Sequence, residues 1–351
     1  MLEDHPFVLK GKELFKRINP YIPATCFLGG FTWDNFTLKR IDNKLDILIF
    51  GLYLLLAGVV ITLIGRKVTF KFSNFLPWGV QFFFGGLFSS FFVYYVKSAS
   101  SLPTLLFMLL LLTMLVGNEF LEKKYGNITL ASIFYGIASF MYFNAIIPVL
   151  LRHMSILTFL LAMGISAGLV YLIKRISKSE SVKMLPLGGI YSALLIFYFA
   201  NAIPPVPLAK KDMGIYRGIG RSNGAYVCSM RKPAWYKPWQ DSEENFLYAS
   251  GDRVYCFSSI FAPTKLKKKI YHQWYYKGPD DRKYARRDRI GYRMEGGRDG
   301  GYRGYTCKSN VQFGKWKVVL QTEDNKTLGI ARFKVSERDT SQELKLKTVK
   351  Y

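Results

Sequence analysis

Asn201-Ala-Ile-Pro-Pro-Val-Pro-Leu208 divides the chain between two solvents. Upstream, long apolar runs crowd residues 47–203; downstream the composition turns hydrophilic, basic and rich in Tyr and Gly. A membrane-spanning helix needs about 20 mostly apolar residues. Six runs meet that demand: Ile47–Ile64, Phe75–Val96, Leu102–Phe120, Ile128–Leu151, Met154–Ile173 and Met184–Ile203. The fourth and fifth are separated by little beyond Arg152-His153, which requires a tight helical hairpin. Pro77, Pro103 and Pro186 each fall in a first turn, where a missing N–H does no harm, and Pro148 falls near an exit.

Working outward, the chain divides into five stretches. Residues 1–44 hold an amphipathic segment, with Leu14, Phe15 and Ile18 on one helical face and Lys10, Lys12, Lys16 and Arg17 around it. Within that stretch, Tyr21–Leu38 is apolar enough to enter a membrane but short, and it carries Asp34; if it crosses, the spans number seven. Residues 45–203 form the helical bundle, 204–212 a proline-rich linker, 213–340 a soluble domain and 341–351 a basic tail. Prolines favour extended structure, so the linker reads as a short semi-rigid stalk. No cleavable signal peptide is visible, because Met1–Asn19 has charges throughout and no continuous apolar core.

The net charge is +25 over 351 residues, which fits anionic lipid, an acidic polymer or nucleic acid as a partner. Part of it orients the helices. Arg66, Lys67, Lys71, Lys123, Lys124, Lys174, Arg175, Lys178 and Lys183 occupy one set of loops, against Lys97 and Arg152 in the other. Cytoplasmic loops are rich in Lys and Arg, so the first set reads as cytoplasmic and the C-terminal region as external. That orientation speaks against nucleic acid as the partner. No charge sits at a span centre, and small residues such as Gly85, Gly86, Ser89, Ser90, Gly164, Ser166 and Gly168 read as helix-packing positions.

The C-terminal region has the short period of strands. Val254–Phe261 is apolar on both faces, as a central strand would be. Ile270, His272, Trp274 and Tyr276 alternate with Tyr271, Gln273 and Tyr275; Ile290, Tyr292 and Met294 alternate with Arg289, Arg293 and Glu295; Trp316, Val318 and Leu320 alternate with Lys315, Lys317 and Gln321. Glu323-Asp324-Asn325-Lys326 is a hairpin turn leading into Leu328–Val335. The expectation is a multi-span α-helical membrane bundle carrying an all-β domain, an antiparallel, immunoglobulin-like β-sandwich.

Glu295-Gly-Gly-Arg-Asp-Gly-Gly-Tyr-Arg-Gly-Tyr-Thr306 is the most unusual segment. Its glycines allow close approach of a ligand, and Arg298, Asp299, Tyr302 and Arg303 supply charge and an aromatic face. A glycine-rich turn holding loops together is the plainer alternative. The GxxxxGK[ST] spacing is missing, so it is no phosphate-binding P-loop. Lys265–Lys269 reads as a solvated edge or an anion-facing patch. His272 and Trp274 complete the candidate binding set, although a lone histidine reads more readily as a satisfied core or edge residue. No catalytic group, metal site or cofactor motif emerges. Cys228 with Cys256 is the disulfide an oxidising compartment would permit; small buried apolar roles are the alternative.

Asn201–Leu208, Phe261-Ala-Pro, Tyr271-His-Gln-Trp, Gly296–Thr306 and Gly314-Lys-Trp-Lys-Val resemble the bacterial domain of unknown function family 2914. The resemblance implies a membrane-anchored bacterial envelope protein and brings no activity. The functional expectation is an inner-membrane protein that displays a periplasmic β-sandwich to a protein or anionic envelope polymer, with the bilayer itself as its other partner. The alternative is a transporter or membrane enzyme whose site lies among the spans.

Overall fold

A computed structural model describes residues 22–38, 41–69, 71, 73–121, 124–179, 182–264, 266–295, 301–339 and 344–351. The amphipathic stretch before Ile22 and the residues Arg298 and Asp299 lie outside them. Among the described residues seven α-helices precede eleven strands. The helices are α1 (Ile22–Thr37), α2 (Lys44–Gly65), α3 (Leu76–Ser98), α4 (Leu102–Phe120), α5 (Ile128–Leu151), α6 (Ile156–Ser177) and α7 (Met184–Phe199). The five helices α2 to α6 are long and apolar enough to cross a membrane. The sixth expected span is shorter than its apolar run: α7 has 16 residues and stops at Phe199. At 1.5 Å per residue that is about 24 Å, against a hydrocarbon core of about 30 Å. The segment carrying Asp34 also forms a 16-residue helix, α1.

Two units make up the chain. The first holds the described residues up to Tyr94 together with Leu110–Tyr142 and Ile165–Ile190. In it α2 starts where the Asn43 side chain accepts the Leu45 N–H at 3.2 Å, a cap that satisfies one of the helix's unpaired donors. One stripe of α2, Phe50, Leu54, Ala57 and Ile61, is buried, while Leu48, Leu52 and Leu55 are exposed. So much exposed leucine is tolerable only against lipid tails. Small residues let neighbours close in: a Cβ at Gly51 would stand 2.6 Å from the Tyr142 hydroxyl, and one at Gly86 2.8 Å from the Tyr53 ring. Ser166 bonds Ser139 at 2.7 Å, whereas Gly164 and Gly168 have open space beside them. The packing role therefore holds for some of the small residues and not for others.

The second unit holds Tyr95–Leu109, Phe143–Gly164 and Tyr191–Tyr351, which are helix ends, their turns and the whole β-region. Its strands are β1 (Ala209–Tyr216), β2 (Gly218–Ser222), β3 (Ala225–Arg231), β4 (Asn245–Tyr248), β5 (Val254–Phe261), β6 (Lys267–Lys277), β7 (Ala285–Glu295), β8 (Tyr302–Lys308), β9 (Gly314–Thr322), β10 (Thr327–Glu337) and β11 (Leu346–Lys350). They form sheets ordered β1-β5-β8, β4-β10-β9-β6-β7 and β11-β3-β2. Every pairing is antiparallel except β4 with β10. The apolar run Val254–Phe261 is the central strand of its sheet, as its two-sided apolarity requires. Ile215, Val254 and Cys256 of the three-stranded sheet pack on Phe246, Trp274, Trp316, Val318 and Phe333 of the five-stranded sheet. Two sheets facing one core make a sandwich.

Two boundaries shift from the compositional reading. Strand β1 begins inside the proline-rich linker, and β11 takes up residues read as a basic tail by pairing with β3. The linker is not a free stalk either. Ala202–Leu208 is buried, and Leu208 joins Ile260, Leu266, Ile270, Met294, Leu320 and Leu328 in an apolar cluster.

Hydrogen bonds among the described residues tie the β-region to the helix ends of the same unit. Ser100 Oγ donates to the Thr327 carbonyl at 3.0 Å, Lys268 Nζ to the Met154 carbonyl at 2.7 Å, and Lys326 Nζ to the Tyr198 carbonyl at 2.5 Å. Tyr198 lies in the last turn of α7, where unpaired carbonyls attract cations. The Lys326 ammonium also sits 3.7 Å from the centre of the Tyr198 ring. Burial holds Lys326 down to about 8, although Asp324 acts in the opposite sense.

Candidate functional site

Alternation along β6 decides which residues reach solvent. Ile270, His272, Trp274 and Tyr276 point inward and are buried, so two of the six candidate binding residues belong to the core. His272 is fully enclosed. Its Nε2 lies 2.9 Å from Ser258 Oγ, its Nδ1 lies 2.9 Å from Thr306 Oγ1, and Ser258 Oγ is 2.6 Å from the Tyr292 hydroxyl. Four strands, β5 to β8, are thus joined by one polar network. Burial pushes the imidazole down to about 3, which keeps it neutral and unsuited to acid–base work near neutral pH. Trp274 is likewise enclosed, and its Nε1 has no hydrogen-bond partner among the described residues.

The two other described candidates, Tyr302 and Arg303, do not share a face. Tyr302 shares the inward side of β8 with Thr306 and stacks on Tyr292, ring centres 6.2 Å apart. Arg303, one residue on, takes the opposite face of β8, opposite Ser259 in the register. Closeness in sequence placed them together; the strand pleat separates them. The proposed Cys228–Cys256 disulfide is corrected in the same way: both thiols are free and buried. Cys228 packs with Phe257, while the adjacent Cys256 faces the core on the other side of β5. Burial pushes the Cys228 thiol up to about 12 and raises that of Cys256 as well.

What reaches solvent is the outer face of the five-stranded sheet, and it is a field of cations. The register sets Lys334 of β10 opposite Lys315 of β9, and Lys315 opposite Lys277 of β6. One row along, Arg332 faces Lys317, which faces Tyr275, which faces Arg286. Lys269 of β6 faces Arg293 of the edge strand β7. Like charges directly opposed across a sheet destabilise it, whereas opposite charges would cost nothing and help. Burial, and then the Arg332 guanidinium, hold the Lys317 ammonium below the ordinary lysine range.

Aromatic rings lie among the cations. The Arg289 guanidinium is 4.0 Å from the Tyr271 ring centre, and Lys317 Nζ is 4.5 Å from that of Tyr275 and 4.8 Å from that of Tyr284. These rings partly compensate the crowded cations and add flat apolar surface to the face. Sequence reading found the alternation in β6, β7 and β9 but gave Lys315, Lys317 and Arg293 no role beyond their place in it. The signal that was available lay in the hairpin: pairing β9 to β10 through the turn at 323–326 aligns Lys317 with Arg332 and Lys315 with Lys334.

Lys265–Lys269 also needs correction as a solvated edge. Lys267 and Lys269 face out, but Lys268 points inward, its side chain 2 % exposed, and pairs with Glu323 at 3.0 Å and Asp324 at 2.6 Å. No group of three or more potential metal ligands occurs among the described residues.

Residues 267–335 match the family described as protein of unknown function, DUF2914. The match starts with β6 and ends within β10, so it spans four of the five strands that build the cationic face. No curated protein matches the chain. Solved structures similar to it include an immunoglobulin-like protein from Pseudomonas aeruginosa, 11% identical, covering 36% of this chain and 98% of that one at a TM-score of 0.21. A β-glucosidase from Kluyveromyces marxianus is 9% identical over 44% of this chain and 18% of the enzyme, at a TM-score of 0.17. An alkylpurine DNA glycosylase from Pseudomonas fluorescens is 12% identical over 84% of this chain and 82% of that one, at 0.18.

Proposed function

We propose that the protein is an inner-membrane protein of a bacterium whose helices hold a basic β-sandwich in the periplasm, where the outer face of the five-stranded sheet binds an anionic envelope polymer. One observation carries this reading: Lys315–Lys334, Lys317–Arg332 and Lys269–Arg293 are directly opposed like charges. Each such pair costs stability, by a few tenths to about 1 kcal/mol. Violations of local rules collect where function requires them. A polyanion laid across the rows turns that repulsion into attraction, and the interleaved tyrosines offer flat apolar surface. The nine basic residues in one set of loops, against Lys97 and Arg152 at the helix ends that share a unit with the β-region, support a periplasmic orientation.

The test uses full-length protein in detergent on an immobilised acidic polysaccharide. Wild type should be retained and released by salt, and Lys317→Gln/Arg332→Gln should elute early. Equal retention of both proteins removes the face from the proposal. Alkaline phosphatase fused at the C-terminus should be active in intact cells; an inactive enzyme there, with an active cytoplasmic reporter at the same site, reverses the orientation.

A second reading, a transporter or membrane enzyme with its site among the helices, draws on Asp34. Its carboxylate accepts a 2.5 Å hydrogen bond from Ser89 within the helical unit, and carboxylates in such places often mark ion paths. Loss of function in Asp34→Asn, together with survival of function without the β-region, would favour it.

A further inference from the structure

A cleft of about 810 Å³ opens at one end of the sandwich, lined by Lys267, Lys268, Lys269, Arg293, Glu295 and Glu323, with Met294 and Tyr302 beside them. We propose that it binds the phosphate headgroup of an anionic phospholipid from the membrane in which the helices sit. Two observations place and charge it. First, Lys268 Nζ is 2.7 Å from the Met154 carbonyl, and Met154 belongs to the turn between α5 and α6. Both helices are long enough to span, so the turn joining them lies at a bilayer surface. A lysine side chain reaches about 6 Å, so strand β6 passes within headgroup distance of that surface.

Second, among the described residues the cleft's charges do not cancel, since its four cations meet three carboxylates, Asp324 included. Glu323 is engaged with the buried Lys268 at 3.0 Å, and Asp324 adds a second carboxylate at 2.6 Å. Glu295 lies 3.8 Å from Lys267. Lys269 and Arg293 remain, directly opposed across β6 and β7, with no ion-pair partner among the described residues. Opposed side chains on a sheet stand about 5 Å apart at Cβ, a spacing one phosphate bridges. Arg offers it a planar two-pronged donor, and Lys a mobile ammonium. Lys269 and Arg293 also belong to the face read above as binding polymer, whereas Lys317 and Arg332, on which that reading is tested, lie at the other end of the strands.

Native mass spectrometry of the full-length protein, released from detergent micelles with added lipid, tests the site. Phosphatidylglycerol should be retained in preference to phosphatidylcholine. Lys269→Gln/Arg293→Gln should weaken that retention about thirtyfold, as expected for two lost cations at a membrane surface, while Lys269→Arg/Arg293→Lys should keep it. Both residues are exposed, so the variants should melt like wild type. Equal retention of the two lipids, or of phosphatidylglycerol by the glutamine variant, overturns the proposal. Glycerol 3-phosphate binding as tightly as the lipid would overturn it too, by making the cleft a site for soluble anions. So would an equal loss in Lys317→Gln/Arg332→Gln, since the whole face would then be acting as a diffuse field.

Discussion

The inner and outer faces of the five-stranded sheet are written by alternate residues of the same strands. Inward, Trp274, Tyr276, Trp316, Val318 and Phe333 pack into one core with the facing sheet. Outward, one residue away, Lys277 stands by Lys315 and Lys317 by Arg332. The inner face follows the packing rules of any sandwich; the outer face breaks the pairing rule of any sheet. The backbone cannot tell these faces apart. The difference teaches that burial accounts for one set of residues, and that the other set needs a partner to account for it.

The heaviest blow to that contrast should come from the inner face. Trp274→Ala removes the largest of the fully buried side chains and should cost about 3–5 kcal/mol, seen as a fall of many degrees in the thermal midpoint by near-ultraviolet circular dichroism. Trp274→Phe should cost clearly less, because the indole N–H it removes has no partner to lose. If alanine at 274 were tolerated as readily as at an exposed position, the inner face would not be the core described above.

A second effect comes from the His272 network. Native His272 stays neutral down to about 3, whereas the unfolded chain takes up a proton near 6.5. Between those values the unfolded state binds more protons, so stability must fall as the pH falls from 6.5 towards 3. His272→Gln, which keeps hydrogen-bonding capacity for Ser258 or Thr306, should lose that part of the acid slope. Thermal midpoints of both proteins across the window measure it, and parallel curves would mean that the histidine is not held neutral.

How far the fold was legible follows from the same alternation. Val254–Phe261, the β6 pattern and the turn at 323–326 could be read from period and composition because each is a local signal. Strands β2, β3 and β11 could not: Gly218–Ser222 and Leu346–Lys350 have few large apolar residues, and only their pairing with β3 makes them a sheet. The docking of Lys326 on Tyr198 is equally silent in sequence, since the residues are 128 positions apart. His272, Trp274, Arg298, Asp299, Tyr302 and Arg303 were gathered by chemistry and proximity along the chain. Neighbours in a strand point to opposite faces, so the segment that looked like a site holds a core tyrosine beside an outward arginine. The cations that do meet are brought together across strands, by register.

The smallest expected effect is also the one that separates the two faces most sharply. Neutralising a core position should always lower stability, whereas Lys317→Gln/Arg332→Gln on the outer face should raise it. The pair is directly opposed and like-charged, Arg332 helps to hold Lys317 below its ordinary range, and both effects vanish together in the variant. The gain should be about 0.5–1 kcal/mol, a rise of a few degrees in the thermal midpoint that shrinks as added salt screens the wild-type repulsion. Tyr275 and Tyr284 lose their cation, which subtracts part of the gain, so Lys317→Gln alone should help less than Arg332→Gln alone. A variant that melts higher and binds the acidic polymer more weakly would show stability given up for binding at this face. One that melts lower would mean that the aromatic contacts outweigh the repulsion, and that the row is held together by its rings.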